Sequence, residues 1–319
     1  MKRRSINLAA MACLALPLCS ALAQDAYPSR PIKIIVPYPA GGVVDVQTRA
    51  MTQSLATELG QAVVVEPKPG ANGNIATESV AKSAADGYTL LVTAPFLINN
   101  PLQETGLRWV PKDLIPVARF SMSPSFMCVP AALPVRTVRD YVELAKRSKP
   151  PLQFGDPGSG TTQTMTVEIL KSVAGIEIEA IAYKGAPPVA LDLINNTFSM
   201  SVLPSSVAYP HVKSGKLVAL ATTSTTRSAQ LPDVPTIGEA GYPEASVISW
   251  YGLHAPAGTP PAVVRKLESA VKAAVLKAET QTRLVSAGGE AAFLGTDDFT
   301  RFLVAEGQMW ERIQRTLRK

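Results

Sequence analysis

Runs of β-branched and other apolar residues alternate along this chain with segments of helical periodicity. The first run, Ile32–Val36, is apolar at every position except Lys33 and predicts a strand buried on both faces of a parallel sheet. A glycine-rich turn follows it, and Met51, Leu55 and Leu59 then recur on one helical face. Comparable strand–loop–helix units continue as far as Leu217–Ala221. This order predicts an α/β fold with open, mainly parallel sheets.

The chain has 319 residues, enough for two domains of ~100–200 residues each. Apolar residues make up 46% and charged residues 18%, so a large core is expected and extensive disorder is not. Because no linker separates two consecutive halves, we predict two lobes between which the backbone crosses twice, near Ser121–Pro124 and Ile248–Leu253. Lobe 1 would comprise residues 24–122 and 250–319, including two C-terminal helices, and lobe 2 residues 123–249.

Residues 1–23 have the features of an export signal. Three basic residues stand at positions 2–4, an uncharged apolar stretch follows, and Ala21-Leu22-Ala23 has the small-x-small pattern of a cleavage site. The apolar stretch is short and contains Pro17, whereas a membrane span needs ~20 apolar residues. We therefore predict a signal peptide cleaved after Ala23 and a mature protein in the periplasm.

Cysteine and histidine are scarce in the predicted mature chain. Cleavage would leave Cys128 as the only cysteine, in an apolar, strand-like run that favours a buried inert thiol and excludes an internal disulfide. The only histidines are His211 and His254, too few and too far apart for a zinc site or a catalytic triad. His211 follows Pro210, and we predict it at a surface helix start. No metal or cofactor is predicted.

Charge and motif content argue against two functional classes. The formal net charge of +6 falls to +3 without the signal, and the remaining charges do not cluster with aromatic residues, so nucleic-acid binding has no support. Gly155 and Gly160 have the spacing of a phosphate-binding loop, but Thr161 occupies the position of its lysine. Pro157 breaks the G-x-S-x-G pattern around Ser159. We therefore predict that the protein is not an enzyme.

Three loops share one design, in which small residues connect a strand to a helix. They are Pro37–Asp45, Pro69–Asn74 and Gly155–Thr162. Glycine lets the backbone approach a ligand, and the helix that follows presents N–H groups without intrahelical partners and about half a positive charge. Two such helix ends facing each other would hold a carboxylate without arginine. These loops predict a cleft that binds an organic acid.

Many ordered blocks of the sequence resemble one family. Ile34–Gly42, followed by Asp45 and Arg49, is similar to the opening signature of the tripartite tricarboxylate transporter receptors, also called the Bug family. Further similar blocks are Gly70–Ile75, Asp86–Leu90, Tyr183–Gly185, Ser214–Leu217, Ala219–Ala221, Leu231–Thr236, Glu239–Gly241, Trp250–Leu253 and Ala255–Pro260. The resemblance covers essentially the whole mature chain.

The resemblance implies a two-lobed periplasmic-binding-protein fold (type II, Venus flytrap) that closes on a carboxylate and delivers it to a two-component membrane permease. In the family, loops corresponding to Tyr38–Gly42 and Gly158–Thr162 grip one ligand carboxylate. Two positions depart from the family pattern: Thr164 replaces the usual His, and Ser199 replaces the usual Asp. Both are expected near the far end of the ligand. The missing Asp disfavours amino acids, so a dicarboxylate or an aromatic acid is the expected ligand.

The individual site residues leave some alternatives open. Asp45 is either a ligand contact or a first-turn charge of its helix, and Lys184 is either an anion clamp or a solvated lysine. Phe96 is either a pocket wall or a core residue, and with Ser205 it is expected on the distal side of the ligand. The predicted ligand-binding residues are Tyr38, Pro39, Ala40, Gly41, Gly42, Asp45, Phe96, Gly158, Ser159, Gly160, Thr161, Thr162, Lys184 and Ser205.

The resemblance leaves two roles for such a receptor. It implies a monomer that serves a transporter, but the same closed, liganded state would also suit a periplasmic sensing subunit that presents the acid to a membrane sensor kinase. Uptake of the ligand after deletion of the gene separates the two roles.

Overall fold

The structure is a computed structural model that describes residues 27–158, 161–183 and 185–317, without the side chains from residue 313 onward. The predicted signal peptide and the predicted site residues Ser159, Gly160 and Lys184 lie outside the described residues. The strands are β1 (Ile32–Val36), β2 (Val63–Pro67), β3 (Thr89–Thr93), β4 (Leu114–Ser123), β5 (Ser125–Pro130), β6 (Leu152–Asp156), β7 (Ile178–Ala182), β8 (Ser201–Pro204), β9 (Leu217–Thr222), β10 (Ser249–Pro256) and β11 (Glu290–Leu294). The helices are α1 (Val43–Leu59), α2 (Asn74–Ala81), α3 (Phe96–Gln103), α4 (Val138–Arg147), α5 (Thr162–Ala174), α6 (Ala186–Ile194), α7 (Ser205–Lys213), α8 (Pro261–Leu276), α9 (Ala278–Ser286) and α10 (Thr296–Leu317).

A six-stranded sheet has the order β11-β4-β10-β3-β1-β2. β1 pairs in parallel with β2 and β3, but β10 is antiparallel to β3 and β4, and β11 is antiparallel to β4. The prediction of a mainly parallel sheet is therefore wrong for this sheet. The reason is the double crossing: β4 carries the chain away from the sheet and β10 brings it back, so these neighbours run in opposite directions.

The middle of the chain builds a second group of strands. β8, β5 and β9 form a three-stranded antiparallel sheet, and β6 pairs in parallel with β7. A single parallel bridge between Phe154 and Met200 connects the two parts. Only Pro124 separates β4 from β5, close to the predicted lobe boundary. The division into two lobes at residues 122/123 and 249/250 stays a prediction.

Two buried apolar clusters match this arrangement of strands. The first surrounds the six-stranded sheet, where Met51 and Leu55 of α1 are fully buried, each contributing about 1.5–3 kcal/mol. The second surrounds β5 to β9 and includes Tyr141 of α4. α10 reaches both regions: Phe299 packs against Trp250 of β10, whereas Trp310, 1% exposed, belongs to the second cluster. The C-terminal helix therefore connects the two groups of strands.

Local sequence explains where several helices begin and end. The hydroxyl of Thr137 accepts a hydrogen bond from the amide of Asp140, and Asp140 accepts one from the amide of Thr137, so α4 begins with a capping box. Gly60, with φ +66°, ends α1 in the left-handed conformation that glycine adopts without strain. The bounds predicted for the first strand, Ile32–Val36, agree with those of β1.

The structure also tests the predictions for the cysteine and histidines. Cys128 is fully buried, and burial raises the pKa of its thiol, which confirms an inert core cysteine. His211 lies in the last turn of α7, with Pro210 inside that helix, so its prediction at a helix start is wrong. Burial lowers the pKa of His254 to about 3, and its ring bonds to the Thr93 hydroxyl at 2.8 Å.

The described residues offer neither a membrane-spanning helix nor a cluster of metal-binding side chains. None of their helices combines the length and apolarity that crossing a membrane requires. They also contain no group of three or more His, Cys, Asp or Glu side chains that would hold a metal ion.

A candidate ligand-binding cleft

A cleft of about 670 Å³ lies where elements of the two groups of strands meet. One wall follows the ends of β1 and β3 and the length of α3, and the other is the first turn of α5. Its base includes Ser249 and Tyr251 of β10 and Trp310 of α10. The described lining residues of the first wall are Tyr38, Val44, Asn72, Ala94, Pro95, Phe96, Asn99, Asn100, Gln103 and Glu104, and those of the second are Thr161, Thr162, Gln163 and Met165.

The loop before α1 is closed by its own hydrogen bonds. The amide of Gly41 donates to Asp45 Oδ2 at 2.9 Å, and the amide of Gly42 donates to the Pro39 carbonyl at 3.2 Å. Asp45 is 2% exposed and forms an ion pair with Arg49 at 3.0 Å. Burial alone would raise the pKa of Asp45, but the hydrogen bonds from Arg49 and Gly41 hold that pKa below its ordinary value. The two glycine amides are thus occupied within the loop.

The loop before α5 is organised around a second aspartate. Asp156 Oδ1 accepts hydrogen bonds from the amide of Gly158 at 2.8 Å and from the Thr164 hydroxyl. That hydroxyl also lies 2.7 Å from the Gly158 carbonyl. Thr161 is the N-cap, because its hydroxyl accepts from the amide of Thr164 at 3.2 Å. The amides of Thr162 and Gln163 belong to the first turn, where helical N–H groups have no intrahelical partner, and both residues line the cleft.

Aromatic side chains line the cleft. Tyr38 and Phe96 meet edge to face with their ring centroids 6.2 Å apart. Burial raises the pKa of the Tyr38 phenol, and burial raises that of Tyr251 to about 12 despite the lowering effect of the Ser123 and Ser249 hydroxyls. Both phenols are therefore protonated at neutral pH and able to donate hydrogen bonds to an acid.

The cleft carries very little formal charge. Glu104 is the only charged side chain among its described lining residues. Its carboxylate oxygens accept hydrogen bonds from Asn72 Nδ2 at 3.1 Å and from Asn74 Nδ2 at 2.7 Å. An acid bound by the described residues of this cleft would depend on amides, hydroxyls and helix ends, as the sequence predicts.

Comparisons with known proteins identify the family. The profile of the tripartite tricarboxylate transporter family receptors (TctC) matches residues 47–318. The chain belongs to this family. It is thus a solute-binding receptor, a periplasmic-binding-protein family member, and not an enzyme, as predicted.

Individual relatives support the assignment over most of the chain. Protein BugT of Bordetella pertussis is 33% identical over 302 residues, which cover 93% of this receptor and 92% of BugT. A TctC solute-binding protein from Polaromonas, solved without ligand, has a TM-score of 0.81 and 29% identity and covers 91% of this receptor and 99% of that chain. Rpa4515 of R. palustris, solved with adipate, has a TM-score of 0.75 and 31% identity over 91% and 98% of the two chains. These likenesses confirm the predicted α/β fold of type II periplasmic binding proteins.

The receptor's cleft brings together some of the predicted site residues. Tyr38, Phe96, Thr161 and Thr162 line it. Phe96 is also 8% exposed and part of the first core cluster, so both alternatives for this residue hold. The other described candidates, which are not among its lining residues, are Pro39, Ala40, Gly41, Gly42, Asp45, Gly158 and Ser205.

The distal positions differ most from expectation. Ser199 lines a separate cavity of about 460 Å³ beside β6, where its hydroxyl bonds to the Gln153 carbonyl and the Tyr141 phenol. The Thr164 hydroxyl is hydrogen-bonded to the Asp156 carboxylate and to the Gly158 carbonyl of the glycine-rich loop. Ser205 is 1% exposed and donates to Gln230. In this structure the expectation that Ser199 faces the cleft is wrong, because the segment before β8 joins the outer side of β6.

Several lining residues were missed at the sequence level. Ser249 and Tyr251 come from the crossing strand β10, and Trp310 comes from α10, far along the chain from the predicted loops. Asn99 and Glu104 come from α3 and its end, whose Pro101 and paired asparagines gave no helical signal. A signal existed for Ser249 and Tyr251, since the predicted crossing near Ile248–Leu253 contains both.

Proposed function

We propose that this receptor is exported to the periplasm, binds a small carboxylate in the cleft and delivers it to a two-component membrane permease of the tripartite tricarboxylate type. A dicarboxylate or an aromatic acid is the expected ligand. The observation that carries the proposal is the first turn of α5, where Thr161, Thr162 and Gln163 open into a cleft whose described lining has no basic side chain. A helix N-terminus in such a cleft favours an anion.

The available donors suffice for a useful affinity. Hydrogen bonds to a charged group are worth about 1.5–3 kcal/mol each, and micromolar binding corresponds to about 8 kcal/mol. Three or four donors from the first turn of α5 and the two cleft phenols, Tyr38 and Tyr251, would supply most of this free energy. The amides of Gly41 and Gly42 already donate hydrogen bonds within their loop. We therefore expect the ligand to contact the first wall at Val44, which lines the cleft in the first turn of α1.

The description of one relative supports the ligand, and that of the family supports the partner. The structure of Rpa4515 contains adipate, a dicarboxylate. The family description names a tripartite transporter, which supports a permease as the partner. Export rests on the sequence of residues 1–23, where basic residues precede an apolar stretch and a cleavage pattern.

A charge placed at the α5 N-cap tests the cleft. Thr161→Asp keeps a good capping residue but puts a carboxylate where the ligand's carboxylate would bind, whereas Thr161→Ser keeps a neutral cap. Protein freed of co-purified molecules by unfolding and refolding is screened by thermal shift against adipate, malate, benzoate and related acids. Wild type and Thr161→Ser should be stabilised by at least one acid, by about 2.7 kcal/mol at a hundred times Kd, and Thr161→Asp should not respond.

The same experiment also shows whether the proposed cleft is wrong. If no acid stabilises the wild type, or if Thr161→Asp responds as the wild type does, the proposed cleft is wrong. Uptake of the identified acid by cells lacking the gene then tests delivery: transport predicts lost uptake, whereas unimpaired uptake with lost gene induction would overturn transport in favour of sensing.

A further inference from the structure

The cleft is electrically polar from one end to the other. Its α5 end presents the N-terminus of a helix, the positive end of the helix dipole. The C-terminus of α3 also lines the cleft, where helix carbonyls are negative and Glu104 adds a full carboxylate. Asn72 and Asn74 hold that carboxylate in place through hydrogen bonds of 3.1 and 2.7 Å. A ligand that reaches both helix ends therefore meets opposite potentials.

The α3 end also contains a hydrogen-bond acceptor without a partner. Asn99 lines the cleft, and its Oδ1 atom is buried and makes no hydrogen bond. A buried acceptor left unpaired is unfavourable, and it is satisfied by a donor such as a hydroxyl, amide or amino group. A second carboxylate, which only accepts hydrogen bonds when ionised, would satisfy neither Asn99 Oδ1 nor Glu104.

The aromatic side chains that line the cleft suit a flat apolar group. Tyr38 and Phe96 present an edge-to-face pair, and Tyr251 and Met165 complete the lining around it. Aromatic rings prefer such edge-to-face surroundings, and sulfur also contacts ring edges favourably. Of the two ligand classes expected above, these side chains favour the aromatic acid over the flexible dicarboxylate.

We propose that the ligand is a monoanionic aromatic acid, with its carboxylate at the α5 end, its ring between Tyr38 and Met165, and a neutral or cationic hydrogen-bond donor at Glu104. Glu104 is thus a specificity residue that selects against dianions. The inference rests on the proposed function, because it assumes that the carboxylate binds at α5.

Matched pairs of ligands and a charge-neutralising variant test this selection. The pairs are 4-carbamoylbenzoate with benzene-1,4-dicarboxylate, and adipic acid monoamide with adipate, measured by calorimetry at pH 7.5. Like charges held several ångströms apart near a protein surface repel strongly enough to weaken binding about tenfold or more. The wild type should therefore bind each monoanion at least tenfold more tightly than its dianionic partner, and 4-carbamoylbenzoate should bind more tightly than adipic acid monoamide. Glu104→Gln should reduce each monoanion-to-dianion ratio to about threefold or less.

Two further variants keep the test independent of folding. Gln103→Lys, at an exposed position beside Glu104, should shift the preference toward the dianions without touching the asparagine contacts. Glu143→Gln, on the exposed face of α4, removes the same charge away from the cleft and should leave the ratios unchanged. Equal affinities in the wild type, a dianion preference there, or a ratio insensitive to both Glu104→Gln and Gln103→Lys would overturn the inference. Absence of binding by every acid would instead overturn the proposed function.

Discussion

The loops before α1 and α5 both enclose an aspartate, but among the described residues only Asp45 has a cation beside it. Asp45 lies after its glycines and pairs with Arg49 at 3.0 Å. Asp156 lies before its glycines and is held by the amide of Gly158 and the hydroxyl of Thr164, with no cation among its described partners. The two loops look alike in sequence, yet their charges are balanced differently.

The difference shows that a helix N-terminus is not automatically free for a ligand. In each loop the protein's own aspartate carboxylate accepts a hydrogen bond from a backbone amide. Its negative charge therefore offsets part of the positive potential of the helix N-terminus, which would otherwise attract a ligand carboxylate. At α1 the cation Arg49 offsets that negative charge. At α5 the described partners of Asp156 offer dipoles and no cation, so a ligand carboxylate there competes with Asp156.

The largest expected difference between the loops is steric. A Cβ atom added at Gly155 would lie 2.3 Å from Phe198 Cζ and 2.6 Å from Val189 Cγ1, whereas one added at Gly41 meets nothing within 4 Å. Gly155→Ala should cost about 3 kcal/mol through overpacking, and Gly41→Ala about 1 kcal/mol from its positive φ of 78°. Urea unfolding measures both, and equal losses would show that the second loop is not packed into the core as described.

The second expected difference concerns the hydroxyl that replaces the family's usual histidine. Thr164→Val removes a hydrogen bond to the Asp156 carboxylate and should cost about 2 kcal/mol, since bonds to charged groups are the stronger ones. Thr48→Val in α1 is the matched control, because its hydroxyl bonds only to the neutral Val44 carbonyl, and about 1 kcal/mol is expected. Chemical denaturation compares them; a larger loss at Thr48 would contradict the importance given to Asp156.

The third difference depends on pH. The folded-state pKa of Asp45 lies below its ordinary value of 3.8, so its stabilising effect is complete above about pH 4 and is lost as the pH falls through the folded pKa. Asp45→Asn should therefore lower the free energy of unfolding at pH 7 by about 1 kcal/mol. That gap between wild type and variant should shrink below pH 4. A gap of constant size from pH 7 to pH 2.5 would show that the ionised carboxylate is not what stabilises the first loop.

The smallest expected effect is at the contact between the second loop and the crossing strand. The hydroxyls of Thr162 and Ser249 lie 2.8 Å apart and join α5 to the start of β10. Thr162→Val should weaken ligand binding about two- to fivefold, the value of one neutral hydrogen bond, with little change in the melting temperature. Calorimetry measures this with the acid that the thermal-shift screen identifies. Thr166→Val, one turn later in α5, is the control.

Sequence reasoning located the strands and the loops but not their internal contacts. β1 was predictable because four of its five residues are β-branched, apolar and buried, with only Lys33 exposed. β11 was missed because its residues are all half-buried and give no alternation. The hydrogen bond from the Gly41 amide to Asp45 depends on the rotamer of the aspartate. Rotamers cannot be predicted from the periodicity of a sequence.

The site was predictable only where it is made of loops. Tyr38, Thr161 and Thr162 stand beside glycine-rich turns, so their place at the cleft follows from local sequence. Tyr251 and Trp310 reach it through the return of the chain in β10 and α10, and such long-range placement is decided by tertiary packing. Ser199 illustrates the converse, because a family position that looked distal to the ligand belongs to another cavity.

The path of α10 gives the receptor a built-in optical probe. Two of the three tryptophans, Trp109 and Trp250, are buried and donate to Asn74 and Glu306, so their surroundings are fixed by the protein. Trp310 is buried as well, but it borders the cleft. Ligand binding should therefore change the intrinsic tryptophan fluorescence of the unlabelled protein. Trp310→Phe should abolish that change.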